Sequence, residues 1–186
     1  MTALKKSDVL ISPEEYLEGE LLCEVRHEYV AGRVFAMAGA SDDHNRISLN
    51  IAASLHAQLR GKSCEAFVND MKAKAAPAFY YPDVMVVCDP TDNDRYFRER
   101  PSVVFEVSSP DTERTDRREK AISFWYRPTC QSYIIIAQDR VTLTVMRRGT
   151  GDWWESEEIT ERNATLRLPE IGCEISVAEI YERTAV

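Results

Sequence analysis

Long apolar runs are missing from this sequence of 186 residues. No segment approaches the roughly 18 consecutive apolar residues of a membrane-spanning helix, and the N-terminal segment MTALKKSDVLIS lacks the apolar region of a secretory signal. Positive charge is also scarce, because 23 Lys and Arg stand against 31 Asp and Glu, for a net charge of −8. We therefore expect a cytoplasmic protein without a membrane partner, and the charge argues against a broad nucleic-acid-binding surface.

Several chemical motifs are missing too. The chain has no GxGxxG, Walker A or GxSxG sequence, which argues against dinucleotide, nucleoside triphosphate and α/β-hydrolase sites. Its three histidines form no HExxH or Cys/His cluster, so a zinc hydrolase has little support. The cysteines are odd in number and contain no CxxC pair, so we expect reduced core residues: Cys23, Cys64, Cys88, Cys130 and Cys173.

Apolar residues are plentiful, at 44%, and they suffice for one folded domain. A chain of this length buries roughly 70% of the surface that its unfolded form exposes. No repeat or Gly/Ser linker divides it, so we predict a single domain over residues 1–186 with a core at about 12–182. Predicted helices and strands alternate, which indicates an α/β fold with a mixed β-sheet flanked by helices.

Capping residues mark the predicted helices. Ser12 and Glu15 form a capping box that begins the first helix. Ser41 begins the clearest helix, which ends at Gly61 and has apolar residues at every fourth position: Ile47, Ile51, Leu55 and Leu59. Two further capping-box pairs precede shorter helices, namely Asp116 with Glu119 and Ser176 with Glu179.

Strand-type residues fill the remaining segments. A hairpin is predicted at 30–37, and a strand at about 64–75 would place Asp70, Lys72 and Lys74 on one face. A mostly apolar segment of ten residues follows at 79–88, and a shorter one at 101–108. Further strands are predicted at 133–137, 141–147, 153–159 and 165–168.

The two most apolar strand segments each contain one acid, Asp83 in YPDVMVV and Glu106 in VVFEV. Such runs are typical of strands covered on both faces, where a lone carboxylate is unfavourable unless it is paired or binds a cation. On neighbouring strands the two acids would form an oxygen-ligand site suited to Mg²⁺ or Mn²⁺. Alternatively, each acid lies at a strand end and faces water or caps a helix.

Five segments together carry a family resemblance: HEYVAGRV at 27–34, MAGAS at 37–41 with His44 following, YPDV at 81–84, EVSSPDT at 106–112 and DRREK at 116–120. In this order and spacing they resemble the Uma2 family of the PD-(D/E)XK nuclease superfamily, over roughly residues 12–182. The resemblance implies a restriction-endonuclease-like core with a Mg²⁺ or Mn²⁺ site. It also implies hydrolysis of DNA phosphodiester bonds that leaves 5′-phosphate and 3′-hydroxyl ends.

The resemblance also implies roles for individual residues. Asp83 is the motif aspartate and Glu106 is the acid on the next strand, both as catalytic residues and metal ligands. The usual lysine two residues after the acid is replaced by Ser108, so the expected lysine is Lys120, fourteen positions after Glu106. Alternatively, Lys120 is an ordinary solvated helix lysine, and Lys72 and Lys74 are the other candidates.

Other polar residues have weaker assignments. By the same resemblance, Glu28 contributes to catalysis by holding the metal or its water, with a surface glutamate as the alternative, and the Val107 carbonyl is a further metal ligand. His44 is favoured as a helix-start residue over a catalyst. Asp70 stays open between a structural and a functional role.

Possible partners are DNA and a second copy of the chain. Phosphate contacts would come from Arg95, Arg98, Arg100, Arg114, Arg117 and Arg118, although interspersed acids favour a mixed-charge solvated face. The aromatic residues Trp153, Trp154 and Tyr181 fill the core or form a homodimer interface.

A rival function is a catalytically inactive binding or regulatory module of the same fold, which the serine at position 108 keeps open.

Overall fold

A computed structural model describes residues 10–37, 39–109, 119–149 and 153–186. The described helices are α1 (Pro13–Glu20), α2 (Asp42–Gln58), α3 (Ala121–Trp125) and α4 (Val177–Ile180), with a 3₁₀ helix at Pro169–Ile171. The described strands are β1 (His27–Val30), β2 (Arg33–Ala36), β3 (Glu65–Val68), β4 (Lys72–Ala75), β5 (Ala78–Tyr80), β6 (Val84–Val87), β7 (Phe97–Arg98), β8 (Pro101–Ser108), β9 (Ser132–Ala137), β10 (Leu143–Arg148), β11 (Trp154–Ile159), β12 (Thr165–Leu168) and β13 (Cys173–Ser176).

The central sheet has six strands in the order β11-β10-β9-β8-β6-β3. The β8–β9 pair is parallel and the other pairs are antiparallel, so the sheet is mixed, as predicted. Because parallel neighbours need a crossover connection, the chain between β8 and β9 includes α3. A five-stranded sheet, β2-β1-β5-β4-β7, and a β12–β13 hairpin complete the described strands.

Helix α2 covers one face of the central sheet. Its N-cap Ser41 accepts a hydrogen bond from the His44 backbone N–H, as capping residues do. The predicted apolar face is confirmed, because Ile47, Ile51 and Leu55 are completely buried in the main core. Each such side chain stabilises the fold by about 1.5–3 kcal/mol relative to exposure.

The opposite face of the central sheet packs against the five-stranded sheet and α3. This second core includes Ala73 and Tyr80 from the smaller sheet, Phe124 from α3, and Met85 and Val104 from the central sheet. Both faces of β6 and β8 are therefore covered, as their apolar sequences predict. Any carboxylate on these strands needs a specific partner.

Two of the predicted strands are wrong in extent, because the chain passes from one sheet to the other within them. The segment 64–75 divides into β3 and β4, with Asn69 at a positive φ of 42° in the turn between them. The segment 79–88 divides in the same way around Pro82, whose nitrogen cannot donate to a strand ladder. Asp70 consequently lies in an exposed turn and does not share a strand face with Lys72 and Lys74.

The prediction of five reduced core cysteines is also wrong. Cys64 and Cys88 form a disulfide. They face each other because Glu65 pairs with Val87 at the adjoining antiparallel position of β3 and β6. Of the remaining cysteines, Cys130 and Cys173 are buried as expected, whereas Cys23 is exposed.

The C-terminal region matches the sequence in part. The predicted capping box at Ser176 is absent, because its side chain makes no capping hydrogen bond and α4 is only four residues long. Tyr181 is a core residue, Trp154 is half-buried and Trp153 is exposed. Among the described helices, none has both the length and the apolar character needed to cross a bilayer.

Candidate active site

A cleft of about 590 Å³ opens where the ends of β1, β6 and β8 approach the N-terminus of α2 and the start of α3. The titratable residues in its wall include Glu28, His44, Asp83, Glu106 and Lys120, and Val107 borders it as well. All the residues that the sequence predicts for the catalytic and metal site therefore border the same cleft.

Asp83 lies immediately before β6, and only 9% of the residue is exposed. Its Oδ2 accepts a hydrogen bond of 2.7 Å from the Val107 backbone N–H. The same oxygen lies 3.3 Å from Nε2 of His44. Because both contacts involve Oδ2, they fix the orientation of the carboxylate toward the cleft.

Glu106 is more deeply buried, at 3% exposure, in the middle of the central sheet. Side chains alternate along β8, so Glu106 shares a face with Val104, which packs toward the smaller sheet. By the same alternation, Asp83 shares a face with Met85 of β6, and Met85 lies in the same second core. The two acids therefore project from the same face of adjacent strands.

Lys120 joins two of the acids. Its Nζ lies 2.9 Å from Oε1 of Glu28 and 3.5 Å from each carboxylate oxygen of Glu106. Nζ also lies 5.8 Å from the centre of the Tyr80 ring. The lysine therefore contacts two of the acids, although it comes from the segment leading into α3.

The alternative lysines lie elsewhere. Lys72 is buried over the Tyr81 ring, at 5.3 Å from its centre, and burial lowers its pKa. Lys74 forms an ion pair with Glu99. Neither belongs to the cleft wall, so Lys120 is the lysine that contacts the acids.

Two consecutive tyrosines, Tyr80 and Tyr81, lie beside the acids and Lys120. Burial raises the pKa of Tyr80, whose hydroxyl lies 3.0 Å from Oγ of Ser123. Burial and a hydrogen bond to Glu20 raise the pKa of Tyr81, whose backbone N–H lies 3.4 Å from Oε1 of Glu28. Both hydroxyls therefore stay protonated at neutral pH and act as fixed hydrogen-bonding groups.

His44 is the cleft residue whose side-chain contact is hardest to predict from the sequence. Its position after a cap residue favours a helix-start role, and its backbone N–H does bond to Ser41. Its side chain nevertheless contacts Asp83, which immediately precedes β6 of the central sheet. No short-range sequence signal shows this contact, because the two residues are 39 positions apart.

Asp70 and Arg26 lie at the rim of the cleft, where their side chains form an exposed ion pair of 2.9 Å. This pairing gives Asp70 a structural partner.

The arginines that the sequence predicts as phosphate contacts are engaged with other side chains. The guanidinium of Arg98 stacks on Phe67 at 4.6 Å, and Arg95 lies over Tyr96.

Arg100 is also engaged, by Asp89, and that carboxylate raises the pKa of Arg100. None of these three described arginines borders the cleft. Arg114, Arg117 and Arg118 lie outside the described residues, as does Asp116 with its predicted cap.

The donor set of the cleft suits a hard divalent cation. Three carboxylates face one lysine, so negative charge is in excess among these side chains. In the described parts of the chain, Glu28, Asp83 and Glu106 are too widely spaced to bring ligand atoms within 4.8 Å of one another. In this arrangement the three carboxylates cannot all contact one ion directly, and a Mg²⁺ ion commonly takes one or two carboxylates and completes its shell with water and substrate phosphate.

Comparisons with known proteins identify the family and the fold. Residues 13–178 match the Uma2 family, described as "Putative restriction endonuclease". Two uncharacterized Synechocystis proteins are similar: slr1290 is 34% identical over 94% of this chain and 93% of its own length, and sll1609 is 28% identical over 86% and 93%.

A crystal structure of a "putative nuclease belonging to DUF820" from Anabaena variabilis has a TM-score of 0.75. It is 18% identical and covers 92% of this chain and 97% of the other. The predicted restriction-endonuclease-like α/β fold is therefore confirmed, as is the resemblance. Because the family model spans most of the chain, this protein belongs to the Uma2 family of restriction-endonuclease-like proteins.

Proposed function

We propose that this protein is a metal-dependent endonuclease that hydrolyses phosphodiester bonds in DNA. The observation that carries the proposal is the convergence of Asp83, Glu106, Glu28 and Lys120 on one cleft. Fold alone does not establish an activity, since one fold serves many functions. Buried acids beside a lysine, in a cleft open to solvent, can hold a hard cation and place a positive charge next to a phosphate.

Each residue has a separate task in this proposal. Asp83 and Glu106 would hold Mg²⁺ or Mn²⁺, and the contacts of Oδ2 with the Val107 N–H and His44 orient the Asp83 carboxylate. The Val107 carbonyl is the additional ligand that we assign, and Glu28 would hold the cation through water. When bound, the cation stabilises the charge that develops on the phosphoryl oxygens.

Lys120 supplies positive charge from the protein itself. Its ammonium lies against Glu106, so it can donate to a phosphate oxygen or orient the attacking water. Fixed donors of this kind are effective because they are already oriented by folding and need no reorganisation during the reaction. The net charge of −8 makes DNA binding weak and salt-sensitive, and it leaves the metal to provide much of the attraction.

The proposal is tested by incubating the full chain with supercoiled plasmid and with single-stranded DNA, each with Mg²⁺, Mn²⁺ or EDTA. We expect metal-dependent nicking that EDTA abolishes, with 5′-phosphate ends. Calorimetric metal binding without any cleavage across both substrates would instead support the inactive binding module. Neither binding nor cleavage would reject the metal site as well.

His44 is expected to hold Asp83 in position. We predict that His44→Gln lowers cleavage about tenfold and weakens Mg²⁺ binding by a similar factor, as losing a group that orients a ligand does. The matched control is His56→Gln, an exposed position on the same helix, which should leave both quantities unchanged. Unchanged Mg²⁺ affinity in His44→Gln would contradict the positioning role.

A further inference from the structure

A second group of ligand-type side chains lies in the segment that joins α1 to β1. Glu20 ends α1, Cys23 lies in the loop and His27 begins β1. One carboxylate oxygen, the Cys23 Sγ and one ring nitrogen of His27 all lie within 4.8 Å of one another. Within the described ranges, no other His, Cys, Asp and Glu side chains form so compact a group.

The chemistry of this group differs from that of the cleft. A thiolate, an imidazole and one carboxylate form a mixed donor set that suits Zn²⁺, whereas Mg²⁺ prefers oxygen ligands alone. Two residues separate Glu20 from Cys23, and three separate Cys23 from His27. Zinc sites commonly draw neighbouring ligands from such short local spacings.

The geometry is partly formed already. The Glu20 side chain is only 4% exposed, and its Oε2 lies 3.2 Å from Nδ1 of His27. Two ligand atoms on one tetrahedral zinc are about 3.5 Å apart, given Zn–N and Zn–S bonds of about 2.0 to 2.3 Å. Cys23 is exposed, so an ion can enter from solvent and the thiol can close on it with a small movement.

Outer groups orient the Glu20 carboxylate. Its Oε1 accepts hydrogen bonds from the His27 backbone N–H at 2.8 Å and from the Tyr81 hydroxyl at 3.0 Å. Metal sites in proteins typically have such second partners, which hold the ligand in its binding orientation. Oε2, which these two groups do not engage, is the oxygen that faces His27.

We propose that Glu20, Cys23 and His27 form a binding site for Zn²⁺ or a similar thiophilic divalent cation, with water as the fourth ligand. Binding releases the proton of the Cys23 thiol and requires an unprotonated ring nitrogen of His27, because both atoms must offer lone pairs. This site is separate from the carboxylate site of the proposed nuclease and does not depend on it.

The site would stabilise one wall of the cleft. Glu24, Val25 and Arg26 lie between two of the ligands and border the cleft, and Glu28 follows the third. A cation bound here links the end of α1 to the start of β1 and so restricts this segment. It thereby holds the backbone that presents Glu28.

The test uses Co²⁺ as a spectroscopic substitute for Zn²⁺ on the full chain. With excess Mg²⁺ present to occupy the carboxylate site, we expect a thiolate-to-cobalt charge-transfer band and intense tetrahedral d–d bands that saturate at one Co²⁺ per chain and that added Zn²⁺ removes. The band should vanish in Cys23→Ser, while Tyr81→Phe should bind about tenfold more weakly. Cys23 is exposed, so its replacement leaves the core intact, and thermal unfolding would verify this.

Two controls separate this site from the rest of the protein. Cys173→Ala removes a buried thiol outside the group and should keep the band. Glu106→Gln alters the carboxylate site and should keep it as well, whether or not the protein is a nuclease. Co²⁺ binding without a thiolate band, a band that persists in Cys23→Ser, or no binding would each overturn the proposal.

Discussion

Glu106→Gln is expected to lower Mg²⁺-dependent plasmid nicking about a thousandfold, which corresponds to about 4 kcal/mol of transition-state stabilisation. Glutamine has nearly the same shape, so it fits the buried position in β8. It lacks the negative charge that holds a hard cation in this position. The loss therefore reports on charge rather than on packing.

Asp83→Asn provides an independent arm of the same prediction. The asparagine oxygen can still accept the Val107 N–H that now lies 2.7 Å from Oδ2, so the β6–β8 junction is retained. We expect a comparable loss of nicking, and weaker Mg²⁺ binding by calorimetry in both variants. Two acids acting on one cation also predict that the double variant is hardly slower than either single one.

The matched control is Glu174→Gln, an exposed glutamate on β13 outside the cleft. It makes the same chemical change as Glu106→Gln and should cleave at the wild-type rate. Undiminished nicking by Glu106→Gln would show that a contaminating nuclease, or a different site, is responsible. Loss of nicking in Glu174→Gln would show that the assay responds to net charge alone.

Local interactions explain why much of the fold is predictable from the sequence. The capping box of Ser12 and Glu15 forms as expected, with both reciprocal hydrogen bonds. The apolar spacing of α2 likewise identifies the face that packs on the central sheet. Both signals depend on residues three or four positions apart, and such contacts are determined within one helix.

The errors have the opposite origin. A continuous strand from 64 to 75 is a reasonable reading of the residues, but the turn at Asn69 transfers the chain between sheets. The Cys64–Cys88 disulfide likewise depends on β3 pairing with β6, which no spacing between two cysteines reveals. Both features depend on which strands pair over long range, and local sequence patterns do not show that pairing.

The residues of the cleft are predictable in part from local patterns and in part only from long-range contacts. The acids of β6 and β8 are conspicuous because each interrupts an apolar strand, and their shared face follows from alternation once the strands are paired. The assignment of Lys120 rests on family resemblance, and its ammonium lies 3.5 Å from Glu106. No sequence signal points to the contact of His44 with Asp83, because the two residues lie on different elements.

Lys120→Met is expected to have the largest effect on stability. The lysine side chain is 11% exposed and contacts Glu28 and Glu106, whose side chains are 18% and 4% exposed. Removing one partner of a buried ion pair typically lowers the free energy of unfolding by 3–5 kcal/mol, because the remaining charge has lost its compensation. We expect a decrease of about 4 kcal/mol for urea unfolding in EDTA.

The same substitution gives a diagnostic response to metal. Without the ammonium, the acids repel one another, so added Mg²⁺ should raise the unfolding free energy of Lys120→Met more than that of the wild type. Nicking should still fall about a hundredfold or more, because the cation cannot also replace the donor to the phosphate. Lys74→Met is the control, since Lys74 pairs with Glu99 outside the cleft. An equal Mg²⁺ response in wild type and Lys120→Met would mean that the lysine and the cation do not share these carboxylates.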